Sequence, residues 1–166
     1  MQGLYLVTPN WNDTDRLLAA TDAALRAGAA LLQYRHKDAS ALVGPAKIVG
    51  ASCYGDLALA RAARSAGASY LAFGGFYPSP VKQYTFVTPP ELLDQARAEF
   101  TLPLVVIGGM TPANAAPLVA RGADMVAAIS SVYQAASVGE AVGQFAQLFV
   151  VHNNRKSFGR TGLSAL

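Results

Sequence analysis

Short apolar runs alternate with longer stretches of helical spacing along the whole chain. Leu4-Tyr5-Leu6-Val7 is the first run, closed by Thr8-Pro9-Asn10. Ala30-Leu31-Leu32-Gln33-Tyr34-Arg35, Lys47-Ile48-Val49-Gly50-Ala51, Tyr70-Leu71-Ala72-Phe73-Gly74, Leu104-Val105-Val106-Ile107 and Met125-Val126-Ala127-Ala128 follow. Runs of this length bounded by turn residues predict buried strands. Between them, Leu17, Leu18, Thr21, Ala24 and Leu25 keep helical spacing behind a cap at Asp13 or Thr14, and Gly28 ends that helix. Further helices are predicted over residues 56–66, 89–100, 115–121 and 138–150. The third opens with a capping box, Thr88-Pro89-Pro90-Glu91, and the fourth is best capped by Asn114, which keeps Pro117 in the first turn. A tripeptide marks the helix-to-strand passage three times: Gly28-Ala29-Ala30, Gly67-Ala68-Ser69 and Gly122-Ala123-Asp124. The chain is therefore a repeat of βα units, which predicts a parallel sheet.

One connection breaks that pattern. Only His36 to Ala46 separate the second and third runs, and Gly44 and Pro45 lie among them, whereas parallel neighbours need a crossover of about a dozen residues or more, usually helical. Six βα units also fall short of a closed eight-stranded barrel, and an open sheet would expose its edges. The expected fold is an α/β (β/α)8 barrel, with roughly 50 residues, about two βα units, absent near Ser40-Ala41. One barrel domain over residues 1–150 is expected, followed by a flexible tail over 151–166.

Composition narrows the class without naming a function. Of the 166 residues, 52% are hydrophobic and 14% charged, as in a single soluble domain. The net charge of +3 carries no Lys/Arg block, so a small anionic ligand is a better partner than nucleic acid. No apolar run approaches a membrane span, and the start of the chain carries no targeting signal, so a cytoplasmic protein is expected. The single cysteine, Cys53, excludes an intramolecular disulfide and is read as inert. Oligomeric state is open, a homo-oligomer included.

The strongest chemical signal is Val105-Val106-Ile107-Gly108-Gly109-Met110-Thr111-Pro112-Ala113-Asn114, followed one unit later by Ala128-Ile129-Ser130-Ser131. Each is a strand running into small residues and a helix start, an arrangement that presents bare amides to an anion. An isolated Gly-Gly is often only a turn; two such units near the end of a barrel chain match its phosphate grip. Gln33, Arg35 and Lys37, spaced by two at a strand end, share one face and bring an amide and two cations together. A solvated strand end is the alternative. The Gly- and Pro-rich stretch Phe73-Gly74-Gly75-Phe76-Tyr77-Pro78-Ser79-Pro80-Val81-Lys82 adds a hydroxyl and a cation on a strand-end loop, where Lys82 is either a ligand or a surface lysine. Ser52 follows its strand and either donates to an anion or starts a turn. His36 and His152 are isolated, so no metal-ligand spacing is visible, and neither a dinucleotide fingerprint nor a P-loop is present.

Six ordered blocks now resemble the thiamine phosphate synthase family: Leu4-Tyr5-Leu6-Val7-Thr8-Pro9, Gln33-Tyr34-Arg35-His36-Lys37, Val49-Gly50-Ala51-Ser52, Ala72-Phe73-Gly74 through Lys82, Ile107-Gly108-Gly109 and Ala128-Ile129-Ser130. The resemblance implies a (β/α)8 barrel that joins hydroxymethylpyrimidine diphosphate to a thiazole phosphate with Mg²⁺, giving thiamine phosphate and diphosphate. It assigns Gln33, Arg35, Lys37, Ser52, Ser79 and Lys82 to the pyrimidine diphosphate, with Arg35, Lys37 and Lys82 as catalytic cations. It assigns Gly108, Gly109, Ile129 and Ser130 to the thiazole phosphate. The family's metal ligands, an Asn-Asp pair and a second aspartate, come from its third and fourth strands, the units absent here, so no metal ligand is named. Val81 stands where the family typically has threonine, and Tyr54 where histidine is common. A thiazole tautomerase of the same superfamily, or a non-catalytic phosphate-binding relative, are the alternative readings.

Overall fold

The helix-to-strand tripeptides fold alike. The computed structural model describes residues 2–7, 9, 13–33, 50–79 and 85–160. Helix α1 (Thr14–Arg26) is capped by Asp13, whose carboxylate accepts from the Arg16 amide at 2.9 Å. Gly28 then takes φ +95°, and the Ala29 amide reaches back to the Ala24 carbonyl. The same pairing recurs after α2 (Leu57–Ser65), through Gly67 and Ala68 to Ala63, and after α4 (Pro112–Ala120), through Gly122 and Ala123 to Leu118. Left-handed glycine satisfies the last helical carbonyls and turns the chain straight into β2 (Leu31–Gln33), β4 (Tyr70–Gly74) and β6 (Met125–Ala128).

With β1 (Gly3–Val7), β3 (Gly50–Tyr54) and β5 (Leu104–Ile107), these strands form one parallel sheet in the order β2-β1-β6-β5-β4-β3. The first strand pairs with both the second and the last, as it does in a closed barrel. The break in the ring falls between β2 and β3, where the short connection predicts the absent units. Curvature is visible across the sheet: the rings of Tyr5 and Tyr70 lie 5.9 Å apart, and their hydroxyls 3.0 Å apart, although β6 and β5 stand between their strands. Three strand spacings in a flat sheet would separate them by about 14 Å. The chain thus builds an α/β barrel lacking two of its eight βα units.

Alternation along each strand divides the core. Leu4, Leu6, Leu71, Phe73, Leu104, Val106 and Val126 pack outward against helices, with Leu93, Leu118 and Phe145. Each such buried Leu or Phe contributes about 2 kcal/mol. Tyr5, Val7, Val105, Met125 and Ala127 face the lumen, with Tyr70, Ala72 and Ile107 beside them.

Several expectations shift. The described part of β3 is Gly50–Tyr54, so Ser52 lies inside the strand rather than after it, while Lys47, Ile48 and Val49 lie outside the described residues. Its register is set by Ala51 and Cys53, which join the helix-side core. Thr88 does not cap α3 (Leu92–Glu99), which starts behind Glu91 without a side-chain cap; its hydroxyl donates instead to the Gly74 carbonyl. Thr111, not Asn114, caps α4. Asn114 is the third residue of a reciprocal capping box, and that pairing, with Pro112 at the first position, outweighs the N–H lost at Pro117 within the helix. A short helix α5 (Ser130–Tyr133) was not anticipated. α6 (Val138–Arg160) continues ten residues past the expected end, because no proline interrupts it and each added residue gains a bond at little further cost. Among the described residues no helix is long and apolar enough to cross a membrane.

Candidate functional site

Because all six strands are parallel, their C-terminal ends meet on one rim. Register orders that rim: Gln33 lies beside Val7, Leu6 beside Ala128, Ala127 beside Ile107, and Ile107 beside Gly74. The backbone therefore leaves β2, β6, β5 and β4 on the same side, and Gly109, Ile129, Ser130 and Ser79 sit in neighbouring loops. Of the residues singled out from the sequence, Gln33 ends β2, while Arg35, Lys37 and Lys82 lie outside the described residues. Ser52 is exposed on the strand face opposite Ala51 and Cys53.

Gly108 and Gly109 take φ +108° and +62° in succession, a bend that side chains strongly disfavour. Thr111 and Asn114 use each other's side chains for their amides, and Pro112 has no N–H, so the start of α4 is largely self-satisfied. Among the described residues, any anion held on this side would draw on the Gly108-Gly109 bend and on the first turn of α5. There Ile129 occupies the N-cap with φ −126° and ψ −81°, and the Ser130 and Ser131 amides have no intrahelical acceptor. Ser131 Oγ is also buried without a hydrogen-bond partner among the described residues.

The loop after β4 completes the rim. The carbonyl oxygen of Pro78 stands 2.1 Å from where a Cβ on Gly109 would be, so the two loops pack backbone to backbone. Tyr77 Oη donates to the Asn114 carbonyl at 3.0 Å, and Asn114 Nδ2 donates to the Gly109 carbonyl at 2.9 Å. Tyr77 and Asn114 both lie in stretches that the sequence singles out, but spacing gives neither a role of its own at the site; the small-residue stretch around Gly109 is the signal, since close packing there requires a neighbour to provide it. Beside β3 and this loop, Tyr54, Leu59, Phe86, Val87 and Thr88 line an open groove of about 440 Å³. Tyr54 enters it at φ +51°, just beyond a bulge in β3. Cys53 is buried on the helix side, and burial pushes its thiol above the ordinary cysteine range, with Asp56 adding to the rise against a backbone hydrogen bond from Ala72. Burial and that rise both favour the thiol form near neutral pH.

Asp13 and Asp56 are committed to capping α1 and α2, and no group of three or more His, Cys, Asp or Glu that could hold a metal lies among the described residues.

Comparison with known proteins agrees with this geometry. The family described as thiamine monophosphate synthase matches residues 37–132. The chain is 45% identical to a thiamine-phosphate synthase of Janthinobacterium sp. (strain Marseille), over 90% of this chain and 97% of the relative. It is 37% identical to that of Thiobacillus denitrificans, over 89% and 94%. The first alignment runs over 201 positions, whereas 90% of 166 residues is about 150, so about 50 positions of the relative have no counterpart here. That is the size of the two units missing between β2 and β3. In fold the chain resembles a thiamine phosphate pyrophosphorylase from Pyrococcus furiosus, at TM-score 0.73 and 24% identity, covering 90% of this chain and 96% of that one. With a matching family profile over more than half its length and close relatives over most of it, the chain belongs to the thiamine monophosphate synthase family.

Proposed function

We propose that the chain is a thiamine-phosphate synthase, a transferase that joins hydroxymethylpyrimidine diphosphate to thiazole phosphate with release of diphosphate. The observation that carries this reading is the 45% identity to a relative of that name, on a rim where the Gly109, Ile129-Ser130 and Ser79 loops adjoin. In this reading Gly108, Gly109, Ile129 and Ser130 hold the thiazole phosphate through backbone amides. Gln33, Arg35, Lys37, Ser52, Ser79 and Lys82 bind the pyrimidine diphosphate. The C–O bond to the pyrimidine methylene breaks with its electron pair leaving on diphosphate, and the thiazole nitrogen lone pair forms the new C–N bond. Arg35, Lys37 and Lys82 act by stabilising charge that develops on the leaving group. The thiazole grip holds the nucleophile in line, which replaces a bimolecular encounter by a positioned one.

Magnesium is the ion that the family resemblance calls for. Asp13 and Asp56, carboxylates at the rim, do not fit it, since each is engaged in capping a helix. The reading also carries the expectation of a cytoplasmic enzyme acting on small molecules, with a homo-oligomer open.

A coupled assay tests the proposal. Diphosphate release that requires both precursors supports the synthase. Thiazole phosphate binding with no release refutes it for this chain and favours a non-catalytic phosphate binder; isomerisation of the thiazole alone favours a tautomerase. The three cations are what a synthase needs and a tautomerase does not.

A further inference from the structure

Among the described residues, Tyr77 is a side chain that joins the loop after β4 to the start of α4. Its hydroxyl donates to the Asn114 carbonyl at 3.0 Å, across a sequence separation that carries the loop after β4 onto the first turn of α4. Asn114 is itself fixed, accepting from the Thr111 amide at 2.8 Å and donating to the Gly109 carbonyl at 2.9 Å. Between these anchors, Pro78 lies against Gly109 so closely that a Cβ there would sit 2.1 Å from the Pro78 oxygen and 3.0 Å from Tyr77 Cβ. Ser79 is the next residue. The tether therefore ends two positions before a group assigned to the diphosphate, while Gly109 keeps its own contacts to Asn114 without it.

We propose that Tyr77 is a positioning residue for the diphosphate half of the site, its hydroxyl holding residues 77–79 against the phosphate grip; this rests on the synthase reading for the identity of the ligand. A phenylalanine at this position would fill the same space without the bond. One ordinary hydrogen bond sets the size of the effect, a factor of about three to ten in an equilibrium.

The test compares the wild-type chain with Tyr77→Phe by amide hydrogen exchange over residues 75–79, by binding of inorganic diphosphate and of thiazole phosphate, and by thermal unfolding. Exchange over 75–79 is expected to quicken, and diphosphate binding to weaken, by about three- to tenfold, with thiazole phosphate affinity within about twofold and the melting temperature lowered by no more than about 2–5 °C. Unchanged exchange overturns the inference, and so does an equal loss of both ligands, which would mark a merely structural contact. Failure of the wild-type chain to bind inorganic diphosphate overturns it as well. Exchange and binding need no turnover, so a chain that binds both ligands yet releases no diphosphate would remove the synthase reading and leave this inference standing.

Discussion

Thr88 donates its hydroxyl to the carbonyl of Gly74 at 2.5 Å, and its amide to the carbonyl of Gly75 at 2.9 Å, closing the base of the loop that carries Ser79 and Lys82. Thr88 is 1% exposed, and its Oγ1 would stand 2.8 Å from a Cβ on Gly55, so the closure also seals the end of β3 against the end of β4. A buried hydroxyl at this point exchanges water for one geometrically fixed bond.

Thr88→Val keeps the shape and removes the donor, leaving the Gly74 carbonyl short of a partner in a buried place. A loss of about 1–3 kcal/mol is expected in urea unfolding, with Thr88→Ser recovering most of it. A valine variant as stable as the wild type would show that the carbonyl finds another donor.

Gly109→Ala meets two obstacles at once. The backbone is at φ +62°, and the new Cβ would overlap the Pro78 carbonyl oxygen, which is backbone and cannot swing away. Thiazole phosphate affinity should fall by more than about tenfold and stability by about 1–3 kcal/mol. Calorimetric titration showing native affinity would remove Gly109 from the grip.

On the proposed synthase reading, Lys82→Ala is expected to lower turnover by about a hundredfold while thiazole phosphate affinity stays within about twofold, because a cation assigned to the leaving group acts as its charge develops. Single-turnover diphosphate release measures the first quantity and equilibrium titration the second. An unchanged rate would take Lys82 out of the diphosphate clamp.

How far the sequence alone leads depends on how local each signal is. Strands β4, β5 and β6 were legible to the residue, since each is a continuous apolar run opened by a polar residue or a proline and closed by glycine or by the Ser130-Ser131 helix start. The broken ring was legible too, because a crossover has a minimum length. β3 was legible only in part: Lys47, Ile48 and Val49 lie outside the described residues, and the strand runs on past Ala51 to Tyr54 because Ser52 pairs with Ala72 and Tyr54 with Phe73. At Thr88 the local capping pattern lost to a partner fourteen residues away in the chain. Ser79 and Gly109 were marked separately, but their adjacency through Tyr77 and Pro78 is a tertiary fact with no signal in spacing.

Asp124 offers a contrast at the opposite end of the barrel. Its carboxylate accepts from the Arg97 guanidinium and from the Leu104 amide at 2.8 Å, while Arg97 also donates to the Gly122 carbonyl at 2.7 Å. These contacts sit where strands β5 and β6 begin, away from the rim, so they serve stability. Asp124→Ala should cost about 1–3 kcal/mol of unfolding free energy and leave ligand affinity within about twofold. A drop in affinity without a drop in stability would mean that the two ends of the barrel are coupled.

Alkaline pH should loosen the lumen through Tyr5. Burial, and then its hydrogen bond with Tyr70, hold the Tyr5 hydroxyl above the ordinary tyrosine value of 10.0. The folded chain thus keeps a proton that the unfolded chain gives up. The stability that this pairing contributes is fully present below pH 10.0 and is lost as pH rises from there toward the higher folded value. Tyr5→Phe removes that one-proton slope while Tyr70 remains, so the difference in unfolding free energy between wild type and variant should shrink as pH climbs above 10.0 and be constant below it. Urea titrations from pH 8 to about 11 measure the difference directly. A difference that holds steady throughout would mean that the Tyr5 hydroxyl ionises as easily in the folded lumen as in water.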